Sequence, residues 1–235
     1  MSQRFTLVLA AVLLVASGCQ SGGDPNASAT STRAEPAARP AGQIQAALPG
    51  VTIDRENKTV DLDAKVVLRE GWLELVACPV GSKEHESVFA VTARPGHVHL
   101  ALLQIGLQPG KPGGWRPEGD TFVGIPPQGD RVRVSVLVKG KETPLSLYIR
   151  HSTTDEPLNN DEFVFAGSLV DETQGGRTYE ADQSGNLITL VTFPDDVMTW
   201  PQPASEANDK LFWVANTKAI PPVNTPVKIR LRPVK

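Results

Sequence analysis

The stretch Arg131–Arg150 reads RVRVSVLVKGKETPLSLYIR, and in its first nine residues Val132, Val134, Val136 and Val138 fall at every second position. Successive side chains of an extended chain point to opposite sides, so the four valines line one face of a strand. Gly140-Lys141 turns the chain and Pro144–Arg150 (PLSLYIR) returns, which makes the unit a β-hairpin. The same texture continues downstream. Phe163–Val170 (FVFAGSLV) leads to Gln174-Gly175-Gly176, where two glycines supply the positive φ angles of a tight turn. Arg177–Asp182 follows, then Ser184-Gly185-Asn186 turns into Leu187–Phe193, and Val227–Arg232 (VKIRLR) closes the domain. Five successive strands with short glycine turns predict an antiparallel meander. Upstream, Lys58–Leu68 and Trp72–Ala77 flank the turn Arg69-Glu70-Gly71, and Ser87–Ala93 is a third strand.

One stretch breaks the alternation. Val98–Leu107 (VHLALLQIGL) is too densely apolar for period two and fits a short buried helix begun after Pro95-Gly96 and stopped by Pro109-Gly110. The expected fold class is therefore α+β and β-dominated, a mostly antiparallel sheet with one short buried helix around residues 97–107. Gly106–Gly119 (GLQPGKPGGWRPEG) reads as a surface loop with Trp115 plugged onto the core.

Composition narrows the function. The chain has 235 residues, with Lys+Arg 23 against Asp+Glu 26, and it has no basic block, so it lacks the footprint of phosphate-backbone binding and nucleic acid is excluded as a partner. Gly 20 and Pro 20 favour many turns and short elements over a helical bundle.

The N-terminus carries an address. Arg4 precedes the apolar run Phe5–Ala16, which has the length of a signal h-region and is short for a membrane span. It ends in Ala16-Ser17-Gly18-Cys19, which resembles the bacterial lipobox, so residues 1–18 are expected to be a signal peptide and Cys19 the lipidation site. Several acyl chains on one residue suffice for stable anchoring. Residues 19–48, rich in Ser, Ala, Thr, Pro and Gly, read as a flexible tether, and residues 49–235 as one domain. The expected location is the cell envelope, facing the periplasm. Gln20, which is not the aspartate of inner-membrane retention, leans it to the outer membrane. The partners expected are the membrane, through acylated Cys19, and an envelope protein or small ligand.

With Cys19 acylated, Cys78 has no partner left in the chain. Lys83, His85 and Glu86 lie just beyond it, the residue types that stabilise a thiolate, act as base and orient that base, so Cys78, Lys83, His85 and Glu86 are the catalytic candidates. Cys78 as a small buried hydrophobe is the other reading. Cys78, His85 and His99 are also candidate ligands for zinc or copper, and His97 extends the set to C-x6-H-x11-H-x-H, a spacing that matches no standard zinc module or blue-copper order. On a helix His99 faces inward with Leu102 and Leu103 while His97 diverges. Asp155–Glu162 (DEPLNNDE) and Asp195-Asp196 read as solvated turns.

Gly71–Gly110 resembles the YdjY-like domain of uncharacterised bacterial exported proteins. The resemblance rests on Gly71-Trp72-Leu73-Glu74, Cys78, Lys83-Glu84-His85-Glu86-Ser87, His99-Leu100-Ala101-Leu102-Leu103 and Gly106-Leu107-Gln108-Pro109-Gly110, and it extends through Phe163–Ser168, Ala181–Leu187 and Pro221–Pro233. It implies a domain often found on lipoproteins and supplies no activity. Two functions follow as expectations: a non-catalytic binding or structural module, or a metal or thiol site on Cys78, His85 and His99.

Overall fold

The computed structural model describes residues 48–173, 176–207 and 210–234. The expected signal peptide, Cys19, nearly all of the tether and the Gln174-Gly175 turn lie outside the described residues.

Eight strands make the body: β1 (Thr59–Val66), β2 (Leu75–Pro79), β3 (Ser87–Val91), β4 (Arg131–Val138), β5 (Glu162–Phe165), β6 (Ile188–Thr189), β7 (Met198–Thr199) and β8 (Pro226–Pro233). Their order is β1-β8-β4-β5-β7-β6-β2-β3, and β3 pairs back onto β1 through Ala64↔Val91, Lys65↔Ala90 and Val66↔Phe89. The sheet is thus a closed barrel. It is also mixed, because β6 runs parallel to β7 and β2 parallel to β3. This corrects the expectation of a mostly antiparallel meander. Period-two alternation tells which face of a strand is buried, but it carries no information about which strand lies alongside.

Alternation does place the core. Val132, Val134 and Val136 of β4, Ile229 and Leu231 of β8, Val60 and Leu62 of β1 and Phe163 and Phe165 of β5 are all wholly buried. β2 and β3 behave differently. Leu75 to Cys78 and Ser87 to Val91 are buried at every position, the signature of strands covered on both faces. The β4 hairpin turns one residue earlier than its sequence suggests: Val138 pairs with Lys141, leaving Lys139 (φ 51°) and Gly140 (φ 79°) as a two-residue turn with both φ angles positive.

Helix α1 spans Pro95–Gln104, the one helix of seven or more residues among those described. It starts earlier than the apolar run because proline fits the first helical turn, where its missing N–H costs nothing. The Gly96 N–H donates to Asp182 (2.8 Å), whose other oxygen pairs with Arg94 (2.7 Å), so a carboxylate from a distant segment satisfies the helix start. Asp182 itself belongs to a short helix, α2 (Glu180–Ser184), where a strand was expected. Among the described residues no helix is long and apolar enough to cross a membrane.

The expected loop after α1 is a β-ribbon. Pro109–Lys111 pairs with Gln128–Gly129, and Gly114–Glu118 pairs with Thr121–Ile125. Trp115 is not a plug: it is 40% exposed, and Phe122 is 69% exposed.

Candidate functional site

The residues expected to carry chemistry are held in three separate environments. Cys78 faces Ala90 across the β2–β3 pair and has no accessible surface. Burial pushes its thiol pKa up, and hydrogen bonds involving Ser87, Ser82 and the Lys83 backbone oppose that rise without reversing it. The thiol is therefore protonated at neutral pH and sealed from substrate, the opposite of an activated nucleophile.

His85 sits on the single turn Glu84–Glu86 that leads into β3, and that turn sends its ring outward: the side chain is 79% exposed, with Nε2 3.6 Å from Glu86. Lys83 points back, its Nζ 3.8 Å from the Glu86 carboxylate and 4.0 Å above the centre of the Phe193 ring. Lys83 is thus engaged on two sides. Close by, burial and the carboxylates of Glu86 and Glu206 push the pKa of Glu74 above the ordinary range, against the opposing charge of Lys83.

His99 is half-buried, as its position on α1 predicts, but it turns toward other partners. Its Nδ1 lies 3.1 Å from the Gly167 carbonyl and 2.9 Å from the Tyr179 hydroxyl, and that hydroxyl donates to the same carbonyl (3.0 Å). The set is satisfied when Nδ1 carries a proton. Phe165 and Tyr179 pack edge-on against the ring. Burial lowers the His99 pKa, so the imidazole is neutral. His97 is elsewhere in character, its Nδ1 buried without a partner. Among the described residues no group of three or more His, Cys, Asp or Glu side chains could hold a metal ion.

Two features escaped the sequence reading. Asp196, read as part of a solvated turn, is wholly buried. One of its oxygens accepts the Phe193 N–H (3.0 Å), the other has no partner, and burial raises its pKa well above the carboxylate range. Beside it Asp195 accepts from Asn186 (2.7 Å) and from Ser184.

The second feature is a groove of about 740 Å³ between the ribbon and the stretches 203–206 and 210–212, with Trp115, Phe122 and Phe212 as its aromatic walls and Asp120, Glu206 and Lys210 as its charges. Glycine builds it. A Cβ on Gly124, which faces Trp115 across the ribbon, would come within 2.4 Å of Pro203 and 3.3 Å of the Trp115 ring, so only glycine lets ribbon, indole and proline meet there. Ala204 and Thr192 exchange hydrogen bonds, Thr192 N–H to Ala204 O (2.8 Å) and Ala204 N–H to Thr192 Oγ1 (3.1 Å), which tie the far wall to the barrel. Phe212 continues inward through Trp213 and Trp200 to Phe163, with ring centroids 5.2, 5.9 and 5.6 Å apart. The wall is anchored to the barrel core. The one signal in the sequence was a tryptophan among glycines and prolines.

Fold and site together define a closed mixed β-barrel, packed inside and carrying an open aromatic groove. The YdjY domain family matches residues 51–232, and the chain belongs to that family. No curated protein and no solved structure matches the chain.

Proposed function

We propose that this chain is a lipid-anchored bacterial cell-envelope protein whose YdjY domain is a non-catalytic binding module. One observation carries the non-catalytic half: Cys78, the candidate nucleophile, has no accessible surface and keeps its proton. The anchoring half rests on Arg4, the apolar run Phe5–Ala16 and Cys19 directly after it. Acylated Cys19 holds the chain at the membrane, and the tether gives the domain reach to meet an envelope partner or a small ligand.

Two measurements test this. Alkyne-palmitate fed to expressing cells is expected to label the full chain and to leave the Cys19→Ala variant unlabelled and released from membranes; label retained by that variant sinks the anchoring half. In the native protein Cys78 is expected to stay inert to a thiol reagent such as dithiobis-nitrobenzoate and to react once denatured. Rapid native modification, or stoichiometric zinc or copper lost on His85→Ala, would establish the thiol or metal reading instead.

A further inference from the structure

We propose that the groove between the Gly114–Ile125 ribbon and the stretches 203–206 and 210–212 binds a basic, extended segment of a partner protein, with lysine or arginine side chains held against Trp115 and Phe122 and between Asp120 and Glu206. The proposal rests on the reading of the domain as a binding module.

The groove has the dimensions of a ligand site, about 740 Å³ against about 300–1,000 Å³ for typical pockets. Its aromatic rings are placed for contact. The ribbon leaves Phe122 69% and Trp115 40% exposed and is held to the other wall by the Gly124 approach to Pro203, while the aromatic chain from Phe212 to Phe163 anchors that other wall in the core. Rigid, pre-positioned aromatic side chains lose little freedom when a partner docks, which is why they dominate binding energies.

Charge selects the occupant. Among the described residues neither Asp120 nor Glu206 has an ion-pair partner, and Lys210 is the single cation on the lining. Glu74 feels the charges of Glu86 and Glu206, and two cations of these same elements are already engaged: Lys83 by Glu86 and Phe193, and Arg116, next to Trp115 on the ribbon, by Glu118 (3.8 Å). The groove thus presents more negative than positive charge around aromatic faces, which is the environment that cation–π contact and carboxylate pairing require. An acidic segment would be repelled, and a neutral glycan would stack on the rings but leave the carboxylates unanswered. Backbone geometry selects an extended chain. Gly114–Glu118 and Thr121–Ile125 pair only with each other among the described residues, so each keeps a free edge able to take a further strand.

The test pans a display library of random dodecapeptides on the full, detergent-solubilised chain and measures the recovered peptides by fluorescence anisotropy. Recovered sequences should be enriched in lysine and arginine interspersed with apolar residues. Their affinity should fall by about tenfold or more in Trp115→Ala and in the Asp120→Asn/Glu206→Gln double variant, and it should weaken as salt is raised. Thermal melts of the variants should match the parent, since these side chains are exposed. The proposal is overturned if recovered peptides show no basic bias, if binding survives both sets of substitutions, or if an N-acetylglucosamine hexasaccharide binds with the same dependence on Trp115. Cys19 labelling and Cys78 reactivity are read separately, so loss of the groove proposal leaves the anchored, non-catalytic reading to stand or fall on its own data.

Discussion

Asp196 keeps its carboxyl group out of water, with one oxygen on the Phe193 N–H and the other unpartnered, while the Thr189 and Thr199 hydroxyls bond to one another nearby (2.8 Å). Burial disfavours an ionised carboxylate there more than the Phe193 N–H and the Thr189 and Thr199 hydroxyls favour it, and the charge of Asp195 adds to the burial, so the pKa rises and the folded protein retains the proton. The unfolded chain gives it up near the ordinary aspartate value of 3.8, and above that pH the native state binds more protons than the unfolded one. Stability from this group therefore falls as pH rises from 3.8 toward the raised native pKa. Asp196→Asn keeps the acceptor and removes the titration. Its melting temperature relative to the parent should climb between pH 4 and pH 8, and a gap that stays flat across that range would show that Asp196 is ionised in the fold. The pattern Phe193-Pro194-Asp195-Asp196 was legible as a turn, which it is. That the turn folds inward was not, because the groups that receive it, Asn186, Ser184 and the two threonines, belong to other segments. Cys78 was legible as either a reactive thiol or a small buried hydrophobe, and the burial of its strand on both faces, a property of the packed layers, decides for the second.

At the level of elements, the alternating stretch Arg131–Val138 was read correctly as a strand because period two is a local signal, and the closing strand β8 likewise. The segment after α1 was misread for a physical reason. Glycine and proline usually mark turns, but here glycine marks places where two backbones touch. A Cβ on Gly129 would lie 2.0 Å from the Phe165 carbonyl oxygen, and Gly129 has φ 139°, a conformation that L side chains rarely adopt. A Cβ on Gly110 would lie 2.0 Å from the Gln128 carbonyl oxygen. The ribbon base thus crosses the end of β5 at backbone distance. Gly129→Ala should destabilise by several times the ~1 kcal/mol of an ordinary strained glycine substitution, because the obstacle is a carbonyl that cannot rotate away. Gly119→Ala, at the ribbon tip with nothing within 4 Å, carries only the strain of its φ of 61° and is the control. Urea melts showing equal losses for the two variants would mean that the ribbon base does not sit on β5.

At the scale of the whole molecule, closure depends on the last strand being central. β8 lies between β1 and β4, pairing Pro226 to Leu231 with Lys65 to Val60 on one side and Lys228 to Pro233 with Leu137 to Val132 on the other. It was legible as a strand, whereas its place in the order was not, since its β1 partner lies at the other end of the domain sequence. Outside, Arg230 pairs with Asp61 (2.6 Å) and Glu142 (3.3 Å), and Arg232 also reaches Glu142. Glu142 is pushed down to about 2, first by its hydrogen bond from Arg232. These side chains are 14–36% exposed and Arg230 holds Asp61 through two nitrogens, so the cluster is a bidentate, networked set of ion pairs rather than the isolated exposed pair that adds little. Inside, Val227, Ile229 and Leu231 are at most 6% exposed. Burial of three such side chains is worth about 5–9 kcal/mol, of the order of a whole domain's net stability of about 5–15 kcal/mol, before either ladder of hydrogen bonds is lost. A chain ending at Thr225 should therefore have no cooperative melt and no near-ultraviolet circular dichroism, while Phe122→Ser on the exposed ribbon should leave the transition in place. Were the truncated chain to melt cooperatively, β1 and β4 would have to be stable as open edges. The closed barrel would then not be what holds the fold.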